Sequence, residues 1–294
     1  MKQLLICLCV LVLSCTVDYD VKPKTDAAKI ALNCILNPKN PIKVYFFTVE
    51  ASGFHGVNGL NVKLSEDGET LFEGRCQDTV LILDTTPRAL ATYRIEASLE
   101  GFQPVWAETS IPDTADCNAS LVSDETSFVN KVYLTDFKTN NLNQVKALYI
   151  SAYSILNGDS LWHCDALYAN NSLIDRINRQ NGIGPEDEEI GNAYYDGFMR
   201  VKADNFPILD KLVFDPRFGT YYGQDTRGII SIITASDDYD RYIRSLYHQS
   251  QDIVYDDILS SIIYQPVRVF SNLNGGLGIF AGVNEIRRKV NIPH

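Results

Sequence analysis

From Ile30 to Thr109, apolar residues recur at every second position in short runs, and this period of two constrains the fold more than any other feature of the chain. Successive side chains on a strand point to opposite faces, so the alternation describes strands with one buried face and one wet face. Ile30, Leu32, Cys34 and Leu36 share a face, as do Ile42, Val44 and Phe46, and Asn37-Pro38-Lys39-Asn40-Pro41 between the two runs reads as a turn. Val62 and Leu64, then Glu66-Asp67-Gly68, then Thr70-Leu71-Phe72 read as a hairpin. Val80 to Leu83, Tyr93 to Leu99 and Val105 to Thr109 continue the series, and Ile111-Pro112-Asp113 closes it. Short strands with turn signals about every ten residues predict an immunoglobulin-like β-sandwich over residues 28–113.

Residues 114–294 predict a second β-rich domain, with strands at Val132 to Phe137, Ala147 to Leu156, Leu161 to Leu167, Phe198 to Lys202 and Gly228 to Thr234. A polar loop from Asn178 to Gly191 interrupts them. One amphipathic helix is expected near residues 237–250: Ser236 caps it, and Asp237, Asp238 and Asp240 suit its positive end. Tyr239, Tyr242, Ile243, Leu246 and Tyr247 form its apolar face, which should pack on the second sheet. At the chain's end, Val267, Val269 and Ser271, the turn Asn274-Gly275-Gly276 and the run Gly278 to Gly282 read as a closing hairpin.

The front of the chain is of a different kind. Met1-Lys2-Gln3 precedes ten uncharged, mostly apolar residues, Leu4 to Leu13, about half of what a membrane-spanning helix needs. Residues 1–14 therefore read as a signal peptide. Val12-Leu13-Ser14-Cys15 ends that stretch like a lipobox, so Cys15 is expected to carry lipid, with residues 15–27 as a polar tether. The alternative is an ordinary secretory signal.

Residues 1–14 hold one lysine and no acid, leaving 25 basic and 37 acidic residues and a formal charge of -12. With no basic stripe, this composition argues against nucleic-acid binding and against electrostatic adhesion to anionic lipid. Beyond Cys15, the cysteines are Cys34, Cys76, Cys117 and Cys164. An oxidising compartment permits two bridges among them in any of three pairings, or four buried free thiols.

The segment Gln265 to Gly282, with its Ser271-Asn272-Leu273-Asn274-Gly275-Gly276-Leu277-Gly278-Ile279-Phe280 run, resembles an uncharacterised family of Bacteroidetes lipoproteins, as do the Cys15 anchor and the strand ending Ala107-Glu108-Thr109-Ser110-Ile111-Pro112. Members are typically encoded beside SusC/SusD-like TonB-dependent transporters. The resemblance implies an outer-membrane, cell-surface accessory of nutrient import, contacting the barrel or its lid lipoprotein and assisting capture of a peptide or glycan. It implies no chemistry. Asp78-Thr79-Val80, Asp84-Thr85-Thr86, Asp113-Thr114-Ala115 and Asp159-Ser160-Leu161 look like triplets at which Bacteroidetes attach O-glycans.

Motifs for catalysis and metal binding are missing from the sequence. His55, His163, His248 and His294 show no metal-ligand spacing, and no CxxC pair, Gly-x-Ser-x-Gly elbow or Walker loop occurs. In His163-Cys164-Asp165, neighbouring strand residues face opposite ways, so a Cys/His nucleophilic pair is not expected and Cys164 reads as core or bridged. Acidic clusters at Glu186 to Glu189, Asp237-Asp238-x-Asp240 and Asp256-Asp257 read first as solvated faces or helix-end charge. No catalytic residue, metal ligand or cofactor is assigned. Trp106 or Trp162, with some of the tyrosines, are candidates for a ligand surface. The expected function is a non-enzymatic accessory; a hydrolase with a carboxylate pair, or an adhesin or assembly subunit, are the alternatives.

Overall fold

The computed structural model describes residues 28–50, 52–124, 129–156, 160–180, 193–216, 218, 227–252 and 269–291. The signal peptide, Cys15, the tether, the acidic clusters at 186–189 and 256–257, and Val267 lie outside them. The chain is mainly β, with one described α-helix.

The first lobe is a β-sandwich. One sheet holds β1 (Lys29–Leu36), β2 (Ile42–Glu50), β3 (Gly53–Gly56) and β6 (Val80–Leu83); β3 and β6 pair with successive stretches of β2. The other runs β5-β4-β7-β8, from β4 (Leu60–Glu66), β5 (Glu69–Cys76), β7 (Thr92–Ser98) and β8 (Val105–Ser110). The expected β4–β5 hairpin is present, and Asp67 and Gly68 at its tip both take positive φ, as a tight hairpin turn requires. Between the sheets lies one core, with Ile30, Leu32, Phe46, Leu64, Tyr93 and Ile95 at most 1% exposed. Each such side chain contributes about 1.5–3 kcal/mol through removal from water.

The second lobe also packs two sheets. One contains β11 (Ala147–Leu156), paired on one side with β18 (Arg227–Ala235) and on the other with β12 (Ser160–His163) and β16 (Met199–Lys202). The facing sheet runs β14-β15-β13-β17-β10-β9, from β9 (Asp116–Asp124), β10 (Val129–Lys138), β13 (Ala166–Ala169), β14 (Arg179–Gln180), β15 (Ala193–Asp196) and β17 (Lys211–Asp215). The expected strand Leu161 to Leu167 is thus two strands in different sheets. Cys164 and Asp165 form the break between them.

Helix α1 (Asp237–Asp252) starts where Ser236 was expected to cap it: the Tyr239 amide donates to Ser236 Oγ at 3.3 Å. Its Tyr239 and Ile243 pack with Ala147, Tyr149, Ile233 and Ala235 on the outer side of the β11–β18 sheet.

The last strand, β19 (Leu277–Asn291), departs most from the sequence reading. Among the described residues the expected closing hairpin is not formed: residues 269–273 are not strand, and Leu277 to Gly282 pair in parallel with Ala31 to Leu36 of β1. Gly278 explains why. At φ +110 it is closed to other residues, and a Cβ there would stand 1.9 Å from the Leu32 carbonyl oxygen, so glycine admits β1 as the neighbour. From Val283 to Asn291, β19 pairs antiparallel with β18. Phe280 points into the first core, while Ile286 and Val290, of the same parity, meet the second. The chain therefore crosses back over the boundary suggested at residue 113, and one strand belongs to both lobes.

All four described cysteines are buried free thiols, so neither bridge is present. Burial pushes Cys34 up to about 12 and is the main cause raising Cys117 to about 12 and Cys164 to about 11.

Candidate ligand groove

The outward face of the β5-β4-β7-β8 sheet carries a groove of about 620 Å³. Strand register builds it. Lys63 stands opposite Glu73 on one side and Glu96 on the other, and Glu96 stands opposite Trp106, so one row across four strands reads Glu73, Lys63, Glu96, Trp106. The neighbouring row brings Arg75, Asn61 and Ser98 together. These residues alternate with Val62, Leu64, Ile95 and Ala97, which fill the core, so the period that buries one face produces the polar groove on the other.

Trp106 is 41% exposed, and the Arg94 guanidinium carbon lies 4.5 Å from its ring centroid. Arg94 Nε donates to Glu96 Oε1 at 2.7 Å, and Lys63 Nζ meets Glu73 at 2.9 Å. The tryptophan's backbone is clamped: its amide donates to the Asn274 carbonyl at 3.2 Å, and the Asn274 amide donates back at 2.9 Å. A Cβ on Gly275 or Gly276 would lie 2.5 Å from the carbonyl oxygens of Pro104 and Ile30 respectively, so only glycine passes there. The Asn-Gly-Gly run thus holds the β8 edge on which Trp106 stands.

Aromatic and guanidinium planes suit the C–H faces of sugars or peptide planes, and ion-paired carboxylates and bases accept from and donate to hydroxyls. Three bases and two acids line the groove, close to neutral in a chain of formal charge -11. Of the sequence candidates, Trp106 is in the groove. Trp162, 60% exposed, is on β12 at the far edge of the other lobe, so the two do not meet. Tyr93, Tyr149 and Tyr195 are core.

A second polar constellation lies beneath α1. Arg200, 2% exposed, forks onto Asp240, with Nε to Oδ1 at 2.6 Å and Nη2 to Oδ2 at 2.8 Å, and its Nη1 reaches Asp175. Tyr149 donates its hydroxyl to Asp240 Oδ1 at 2.8 Å. Burial raises the Tyr149 pKa, and the Asp240 charge adds to it. Asp240, assigned to helix-end charge from the sequence, instead pins the helix to the sheet.

Two further buried carboxylates, Glu66 and Glu285, are similarly engaged. Glu66 accepts from Tyr93 at 2.7 Å and from Arg88, while Glu285 accepts from Ser231 and Arg287, each at 2.7 Å. Glu66, Asp240 and Glu285 share no partner. His163 is exposed beside Asp165 at 3.4 Å and Cys164 is buried, so they do not form a nucleophilic pair. Among the described residues, no three His, Cys, Asp or Glu side chains form a group able to hold a metal ion, and no helix is long and apolar enough to cross a membrane.

No family model and no curated protein matches the chain. Among solved structures, a glycosyl hydrolase family 2 member from Bacteroides cellulosilyticus aligns at 12% identity over 71% of this chain, with a TM-score of 0.22. The chain spans 27% of that protein's length. A likeness at that score carries no argument about fold or chemistry.

Proposed function

We propose that this chain is a lipid-anchored, non-catalytic binding accessory of a SusC/SusD-like TonB-dependent importer, holding a polar, near-neutral ligand, a glycan or peptide, in the Trp106 groove. The groove carries the binding part of this reading: an exposed tryptophan stacked by arginine, its backbone clamped along the β8 edge, flanked by ion pairs. The Cys15 lipobox and the family resemblance support the anchor and the importer. Calorimetric titration with neutral oligosaccharides and short peptides should find a ligand whose binding Trp106→Ala weakens at least about tenfold. Pull-down from outer membranes in mild detergent, with Cys15→Ala as the unanchored control, should recover a large barrel with the wild type. No binder in either ligand class, or recovery of the chain alone, sinks the corresponding half.

One observation favours a second reading, an assembly subunit. β12 ends its sheet with Leu161 44% and Trp162 60% exposed, and such an edge accepts a strand from another chain. Sedimentation showing concentration-dependent self-association, lost in Trp162→Lys, would move the assignment there.

A further inference from the structure

We propose that the outward face of the β1-β2-β3-β6 sheet docks onto the lipid surface beside the anchor; this rests on the lipoprotein reading of Cys15. Phe54 is 74% exposed, Ile82 55% and Tyr45 44%, and half-buried Phe47, Val49 and Val80 join them. Register makes them one patch. Phe54 stands opposite Val49, Tyr45 opposite Val80 and Lys43 opposite Ile82. Scattered apolar side chains on a surface are ordinary, but a contiguous aromatic and aliphatic patch marks an interaction face.

Three observations select lipid as its occupant. First, the outward strand positions of this face are Lys29, Asn33 and Ile35 on β1, with Ala31 beside them buried, Lys43, Tyr45, Phe47 and Val49 on β2, Phe54 on β3, and Val80 and Ile82 on β6. None of them is an acid, in a chain with 37 acidic residues, and Lys43 among them is exposed. A face bearing aromatics, aliphatics and lysine suits the boundary between headgroups and acyl chains. Second, the chain from Cys15 joins this face: Lys29 pairs with Val49, and Val49 with Phe54. Residues 15–28 span at most about 50 Å even fully extended, so an anchored chain holds this end of β1 within that reach of the bilayer. Third, the groove occupies the opposite side of the same sandwich. With the apolar face down, Trp106 faces away from the membrane, open to a ligand.

The test uses the lipidated full chain in phosphatidylcholine vesicles, with single nitroxide labels at Phe54→Cys, Ile82→Cys and Lys63→Cys. Cys15 is acylated and the other cysteines are buried, so only the introduced thiol reacts. Labels at 54 and 82 should lose most of their collisions with a water-soluble nickel chelate and gain collisions with oxygen, while the label at 63 should stay accessible to nickel. Flotation of the same samples reads the anchor separately. Chain that floats with all three labels accessible to nickel overturns the docking and leaves the anchor standing; chain that does not float overturns both. Labels at 54 and 82 shielded from both colliders indicate cover by a second copy of the chain, which also overturns lipid docking.

Discussion

Arg94 in the first lobe and Arg200 in the second each lie near an acid and an aromatic ring on the outer side of a sheet, yet they do opposite things. Arg94 is 41% exposed in its side chain, and its contacts with Glu96 and Trp106 lie open to solvent. Arg200 is 2% exposed, and Asp240 is entirely buried, with Tyr149 and Asp175 completing the set. The difference is the helix: α1 covers one sheet and nothing among the described residues covers the other. A charged cluster with every partner supplied from within is scaffold. The same side chains on an open face are free to trade partners with a ligand.

The largest effect expected is at the strand that joins the two regions. Gly278→Val places a Cβ 1.9 Å from a backbone oxygen at a φ closed to valine, so the displacement of β1 should leave no folded protein after expression. Folded Gly278→Val with both lobes intact would show that the lobes do not depend on the shared strand.

Next is Asp240→Ala, which strands Arg200 in the core and should cost about 3–5 kcal/mol in urea unfolding. Arg94→Ala should cost less than about 1 kcal/mol, because its partners are solvated. Equal costs would break the comparison. The thiols show which lobe gives way. With Cys117 raised to about 12 and Cys164 to about 11, neither should react with iodoacetamide at pH 8 in the wild type, nor should Cys34, held up to about 12 in the first lobe. In Asp240→Ala, Cys117 and Cys164 should label before Cys34. The same shifts make the fold sensitive to alkali: unfolded thiols ionise from their ordinary value of 9.0, folded ones only at about 11 to 12, so the unfolded state loses protons first and stability falls across that window.

Much of this is legible in the sequence. The alternation in β1 and β2, the Asp67-Gly68 turn, the β11 bounds Ala147 to Leu156 and the Ser236 cap are local, and local spacing determines them. Partner choice is not local. A period of two says which face is buried but not which strand lies alongside, so the pairing of Ile279 with Asn33, and hence the fate of the expected hairpin, could not be read. Asp240 looked like helix-end charge because its first-turn position satisfies that rule; its real partner, Arg200, is forty residues away on a strand. The groove was half visible. Trp106 stood out as a candidate, but Glu73, Lys63 and Glu96 join it only through three strand registers.

A smaller change sharpens the comparison from the ligand's side. Trp106→Ala should weaken ligand binding at least about tenfold, roughly 1.4 kcal/mol, while leaving the unfolding midpoint nearly unmoved, since the ring covers the outside of a sheet whose core is complete without it. A large loss of stability in Trp106→Ala would mean the ring is structural.

The smallest expected effect compares the two arginines directly. A double-mutant cycle on Arg94 and Glu96 should return a coupling of about 0.2–1 kcal/mol that fades as salt is raised, because water surrounds the pair. The cycle on Arg200 and Asp240 should return a coupling several times larger that salt barely touches. The reason lies in desolvation rather than distance: the contacts are 2.7 and 2.6 Å, nearly the same, but only the second pair has no water to fall back on when its partner is removed. A ligand entering the groove needs the weaker coupling, since it must displace Glu96 or Trp106 from Arg94 without paying for a buried charge. If the Arg94 cycle proved as strong and as salt-insensitive as the Arg200 cycle, the groove's charges would be committed to one another, and the ligand would have to be held by Trp106, Asn61 and Ser98 alone.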